Sequence, residues 1–171
     1  MKKLTAVLTF SALLASLSTA HGQNSSHSFS VRATSISGFP TGEAFLTGGG
    51  TYDAQSGFLQ ARGAFRCTQG IAQGPLAGCN AGDGVRWEGA NILPSITFKC
   101  TGSAAEAAKT AVTDGSTLAM QAEFYRRGDG VIASFRANMI VSATDLDPDQ
   151  PGVQNVWIQG VGCGTADVNL R

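Results

Sequence analysis

The sequence predicts an all-β fold: a mainly antiparallel small β-barrel, with a β-sandwich as the alternative, two disulfides and at most one short helix. Three observations carry this. From Phe29 onward, short alternating or β-rich runs lie between turn signals. Glycine, present 22 times, recurs every few residues along them. The runs do not alternate with long helical patterns, which argues against a parallel βαβ architecture.

The elements follow in order. Strands are expected near 29–36, 43–52, 57–65, 84–92, 95–100, 117–126, 131–142 and 153–162. The exception is Ser103 to Val112, where Ser103 and Glu106 have capping-box spacing and open an alanine-rich stretch, so one short helix is expected there. Within the strands the faces divide by parity. Leu59, Ala61, Gly63 and Phe65 share one side and Phe58, Gln60 and Arg62 the other, while Val85 and Trp87 oppose Arg86 and Glu88. Phe65, Trp87, Phe98, Phe124, Phe135 and Trp157 are expected to supply much of the buried area, with Met120 and Met139 as core filler.

The sharpest local expectation is a hairpin at Arg127-Gly128-Asp129-Gly130. A two-residue turn at Gly128-Asp129 places Phe124, Ala122, Met120 and Leu118 opposite Ala133, Phe135, Ala137 and Met139. Glu123 and Gln121 then meet Ser134 and Arg136. The tripeptide Arg127-Gly128-Asp129 also spells an integrin-recognition motif, but hairpin tips require Gly and Asp without any receptor.

Residues 1–20 read as a signal peptide. Lys2 and Lys3 precede an apolar run from Leu4 to Leu17, and Ser18 and Ala20 suit a cut after Ala20. The polar segment 21–28 is expected to be a flexible leader, and 29–171 a single β domain, secreted or periplasmic. The lysine-rich start points to a bacterial protein. Twelve basic residues balance twelve acidic ones, so no basic field exists for nucleic acid or an anionic membrane. No membrane span is expected once the signal is cleaved.

The even set Cys67, Cys79, Cys100 and Cys163 lies wholly beyond the signal, the count an oxidising compartment pairs. Cys67 with Cys79 and Cys100 with Cys163 is the favoured connectivity: the Gly/Pro-rich stretch between the first two can curl locally, and Cys163 ends a late strand able to tie back to 95–100. CxxC spacings and histidine partners are lacking, so these cysteines are not expected to hold zinc.

Candidate chemistry is sparse. His21 and His27, the only histidines, lie in the leader, which disfavours Ser-His-Asp or Cys-His catalysis in the body. An N-terminal His21 after cleavage resembles the copper-binding start of lytic polysaccharide monooxygenases, but a second histidine from a distant strand is missing. Asp145, Asp147 and Asp149 alternate in a loop that could hold calcium, without the glycine and distal glutamate of an EF-hand; a solvated connection is the simpler reading. Glu88 and Glu123 are the best-placed carboxylates for glycoside chemistry, although strand carboxylates beside Arg86 and Arg136 are more often cross-strand ion pairs. The expectation is therefore a noncatalytic binding or interaction protein with no cofactor and no metal. Its site would use Arg62, Arg86, Glu123, Tyr125 and Arg136 on the mixed face, for an unknown small molecule or an extracellular or envelope partner. Enzymatic carboxylate or tyrosine chemistry and a purely structural role are the alternatives.

The ordered series Leu46-Thr47-Gly48-Gly49-Gly50-Thr51-Tyr52, Gly63-Ala64-Phe65-Arg66-Cys67, Gly74-Pro75-Leu76-Ala77-Gly78-Cys79, Phe98-Lys99-Cys100, Glu123-Phe124-Tyr125-Arg126 and Gly152-Val153-Gln154-Asn155-Val156-Trp157 resembles small exported bacterial β-rich proteins of unassigned function. In shape alone, short strands joined by Gly-rich turns are also similar to lipocalin and allene oxide cyclase-type barrels. Neither resemblance implies an activity.

Overall fold

A computed structural model describes residues 26–171. The expected signal peptide, His21 and most of the expected leader lie outside the described residues. The leader's last three residues belong to the first strand, because Ser26, His27 and Ser28 pair with Asp53, Tyr52 and Thr51.

Among the described residues eleven strands follow one another: β1 (Ser26–Gly38), β2 (Glu43–Asp53), β3 (Phe58–Gln69), β4 (Arg86–Ile92), β5 (Ser95–Phe98), β6 (Lys109–Val112), β7 (Thr117–Tyr125), β8 (Phe135–Ser142), β9 (Val156–Ile158), β10 (Gly162–Gly164) and β11 (Ala166–Leu170). A single 3-10 turn, Gly74–Leu76, interrupts them. The all-β class and its antiparallel pairing agree with the sequence. The helix expected over 103–112 is corrected: residues 103–106 make a turn, and Lys109–Val112 is a strand paired with β5. Glu106 bonds back to the backbone N–H groups of Cys100 and Thr101, so the carboxylate that suggested a helix cap clamps a loop instead.

The barrel expectation is also corrected. The main sheet has nine strands in the order β10–β9–β8–β7–β4–β3–β2–β1–β11, and it is not closed into a barrel. β10 additionally meets β1 over two register pairs, Ser37 with Cys163 and Gly38 with Gly162, so the curled sheet touches itself at one corner. The physical reason is strand length. The run 153–162, expected as one strand, turns at Gln159-Gly160-Val161, where the Val161 N–H bonds to the Ile158 carbonyl. β9 and β10 are left with three residues each, and β10 meets β1 through only two of its residues. At the corner Gly162 is required: a Cβ there would lie 2.1 Å from the Ser37 carbonyl oxygen. Beyond it, the Asn155 amide extends the pairing by accepting from Ala166 N–H at 2.7 Å and donating to its carbonyl at 2.9 Å.

The core fills the inner side of the curl. Tyr52, Phe65, Trp87, Phe124, Leu46, Met120 and Met139 are buried there, as the parity of their strands requires. Phe65 and Phe124 meet edge to face at 4.7 Å, a geometry worth about 0.5–1.5 kcal/mol beyond burial. A second apolar layer forms where the β5–β6 hairpin covers the outer side of β7–β9, enclosing Phe98, Ala111, Ala119, Ile140 and Trp157. Trp157 thus belongs to this outer layer, and Phe135 is only partly buried.

Both expected disulfides form, Cys67 with Cys79 and Cys100 with Cys163. The first closes a local loop; the second ties the end of β5 to β10.

The hairpin register is corrected by two residues. Phe124 pairs with Phe135, Ala122 with Ala137 and Met120 with Met139. The loop is longer than a two-residue turn because Asp129 accepts from Ser134 Oγ at 2.6 Å and Arg126 Nε at 3.2 Å, organising the whole 126–134 segment. A slip of two keeps every side chain on its expected face.

Candidate functional site

The register assembles four of the mixed-face residues into one row. Arg62 of β3 is the Cα partner of Glu88 on β4, Glu88 of Glu123 on β7, and Glu123 of Arg136 on β8. Arg86 and Tyr125 face each other one step along. All of these lie on the outer side, since their strand neighbours Trp87, Phe124 and Ala137 point into the core.

The two carboxylates of the row are each paired with an arginine. Arg136 meets Glu123 Oε1 at 2.7 Å, and Arg86 Nε meets Glu88 Oε1 at 3.0 Å. The Tyr125 hydroxyl donates to Glu123 Oε2 at 2.8 Å and reaches Glu88 Oε2 at 3.4 Å. The Arg86 guanidinium covers the Tyr125 ring at 3.9 Å, which explains why an outward-facing tyrosine is only 4% exposed. The hydrogen bond to Glu123, then burial and the two carboxylate charges, pushes the Tyr125 phenol above its usual range. Thus the structure brings together Arg86, Glu88, Glu123, Tyr125 and Arg136. Arg62 stands at the end of the row, exposed and without an ion pair among the described residues.

A second charged group lies beside the Cys100–Cys163 disulfide. Lys109 Nζ is 2.9 Å from Asp147 Oδ1, 3.7 Å from Asp149 and 3.9 Å from Glu106. Asp147 is fully buried, and its Oδ2 has no hydrogen-bond partner. Burial pushes the Glu106 carboxyl up, but bonds from the Thr101 hydroxyl and the Thr101 and Cys100 N–H groups, with the Lys109 charge, hold it below the ordinary glutamate range. The bond to Asp147 outweighs desolvation and holds the Lys109 ammonium above its usual value.

The potential ligand atoms of Cys100, Glu106 and Asp147 lie within 4.8 Å of one another. The Cys100 sulfur is bonded to Cys163, so it is not a thiolate donor, and the Lys109 ammonium already faces the carboxylates. Of the alternating aspartates, Asp147 and Asp149 face the Lys109 ammonium and Asp145 does not join them. Asp145 accepts from the Asp147 and Gln154 N–H groups, and Asp149 turns outward with 82% exposure.

Neither Lys109 nor Glu106 stands out as a site residue in the sequence. Parity was the available signal: Lys109 shares a face with Ala111 once the segment is read as a strand. His27 packs on Tyr52 at 5.3 Å between ring centroids, and Asp129 of the integrin-like tripeptide is engaged inside its own loop.

Two surface clefts flank these groups. One, of about 440 Å³, lies between the hairpin and the sheet and is lined by Phe39, Pro75, Phe98, Asn138, Trp157 and Gln159 among others. The other, of about 600 Å³, lies at the hairpin-loop end of the polar row and is lined by Arg66, Arg126, Arg127 and the Gly82-Asp83-Gly84 loop. No protein-family model, curated protein or solved structure matches the chain.

Proposed function

We propose that the protein is an exported binding module, secreted or periplasmic, whose ligand or extracellular partner docks on the outer face of β3, β4, β7 and β8. The observation that carries this reading is the row Arg62–Glu88–Glu123–Arg136, fixed by register across four strands. Side chains held on paired strands are pre-organised, and a ligand that exchanges with exposed ion pairs loses little because those pairs are weak in water. Cations at both ends and carboxylates between them suit a molecule carrying a carboxylate and hydroxyl groups.

The test is an NMR titration of the exported chain with glucuronate and related sugar acids. Amide shifts on the four strands, lost in Arg62→Met/Arg136→Met with melting unchanged, support the reading. Undiminished binding in that double variant eliminates this face as the site.

A second reading, enzymatic carboxylate or tyrosine chemistry, is favoured by the acidic groupings. Glu88 and Glu123 are register partners reached by one tyrosine hydroxyl, and Glu106 and Asp147 cluster beside the disulfide. These groupings are more specific than any observation about a ligand's identity. Turnover of a glycoside that Glu123→Gln abolishes, without loss of fold, would replace the binding reading with this one.

A further inference from the structure

We infer that the cleft lined by Arg66, Arg126 and Arg127 binds an organic anion: a carboxylate attached to a compact apolar body. The inference does not rest on the binding reading above, because none of the cleft residues belongs to the Arg62–Arg136 row.

The argument begins with charge accounting. Three arginines and two aspartates line the cleft. Asp129 is taken by Arg126 Nε at 3.2 Å and by Ser134 Oγ at 2.6 Å. Asp83 Oδ2 accepts from the Asn80 N–H at 2.9 Å within its own loop. Neither acid therefore neutralises Arg66 or Arg127, which form no ion pair among the described residues. By contrast, Arg86 and Arg136, the arginines the sequence nominated, already pair with Glu88 and Glu123. Within the cleft, the cations left for an external anion are Arg66 near the end of β3 and Arg127 in the loop after β7. A guanidinium offers paired N–H donors that match a carboxylate's two oxygens.

The apolar part follows from the neighbouring recess. A smaller depression of about 170 Å³ shares Arg66, Gly84 and Arg127 with the cleft and continues over Phe45, Phe65 and Val85. Val85 is 45% exposed, a β-branched apolar side chain that lines the recess together with Arg66 and Arg127. Gly84 keeps the floor clear. Its φ is +100°, and a Cβ there would lie 2.8 Å from both the Phe65 ring and the Phe65 carbonyl oxygen. Charged groups beside apolar side chains in one recess are what an amphipathic anion needs, and neither a bare inorganic ion nor a neutral apolar molecule uses both.

Benzoate is the probe. Followed by NMR shifts and calorimetry, it should bind saturably, with shifts at Arg66, Gly84, Val85 and Arg127. Acetate and benzyl alcohol, which supply the anion and the ring separately, should each bind more weakly. Removing two charge-assisted contacts in Arg66→Gln/Arg127→Gln should weaken benzoate about tenfold or more, while Arg32→Gln on β1 leaves it unchanged. If the double variant melts early, phenylglyoxal labelling of the unmodified chain decides instead, since bound benzoate should slow reaction at Arg127. Absence of saturable benzoate binding, unchanged affinity in the folded double variant, or labelling unaffected by benzoate would overturn the site. Acetate binding as tightly as benzoate would overturn the role given to the recess.

Discussion

The Arg86–Glu88–Tyr125–Glu123–Arg136 network and the Lys109–Glu106–Asp147 group use the same kinds of charge, yet one faces water and the other lies beneath a hairpin. The Arg136 side chain is 68% exposed and that of Asp147 fully buried. In water an ion pair exchanges good solvation for modest attraction and is worth little net. Under the hairpin, Asp147 has no solvent to replace Lys109, so removing the lysine strands a charge. Pairing alone therefore does not tell which charges hold the fold. Burial does: the open network contributes little to stability and the covered group contributes much.

The largest effect that could break this comparison is expected at Lys109. Lys109→Met should cost about 3–5 kcal/mol in urea unfolding, because it leaves Asp147 uncompensated. Adding Asp147→Leu should recover much of that loss; no recovery would mean that the lysine acts through its packing rather than its charge. Next comes Asn155, whose buried amide makes both bonds to Ala166 beyond the corner of the sheet. Asn155→Ala should cost about 1–3 kcal/mol by the same measurement, since the Ala166 groups then lose their partner.

Acid sharpens the contrast further. A carboxyl held below its ordinary value stabilises the fold above that value, and the contribution is lost as pH falls through the depressed folded pKa. For Glu106 the loss begins below about pH 4.5, the ordinary value. Glu106→Gln should therefore flatten the acid limb of the stability curve, read from melting temperatures between pH 3 and 6.

Much of this architecture was legible in the sequence, for identifiable reasons. The parity of Leu59, Ala61 and Phe65 against Gln60 and Arg62 survives in β3 because one face meets the core and the other water. Both disulfides were readable from local loop chemistry and the late position of Cys163. Register was less legible. A period of two cannot distinguish Phe124 opposite Ala133 from Phe124 opposite Phe135, and only the Asp129 contacts inside the loop select the second. Closure was misread because Gly160 turns a run that looked like one strand into two short ones. The buried charge group was hidden for a related reason. The alanines before Lys109 suggested a helix, so its strand parity, which aims it with Ala111 beneath the hairpin, went unread. Of the site residues, the sequence found five that the sheet gathers or aligns, and the ion pairing of Arg86 and Arg136 with Glu88 and Glu123, but not that Arg66 and Arg127 line a cleft without an ion pair of their own.

The most direct measurement is a side-by-side urea unfolding of Lys109→Met and Arg136→Met at neutral pH. Each removes one cation from a carboxylate within hydrogen-bonding distance, Asp147 at 2.9 Å and Glu123 at 2.7 Å. A loss of about 3–5 kcal/mol for the first and about 0–1 kcal/mol for the second is the result that burial requires. Equal losses, or a larger one at Arg136, would contradict the account and make the open network, not the covered group, the part that holds the fold.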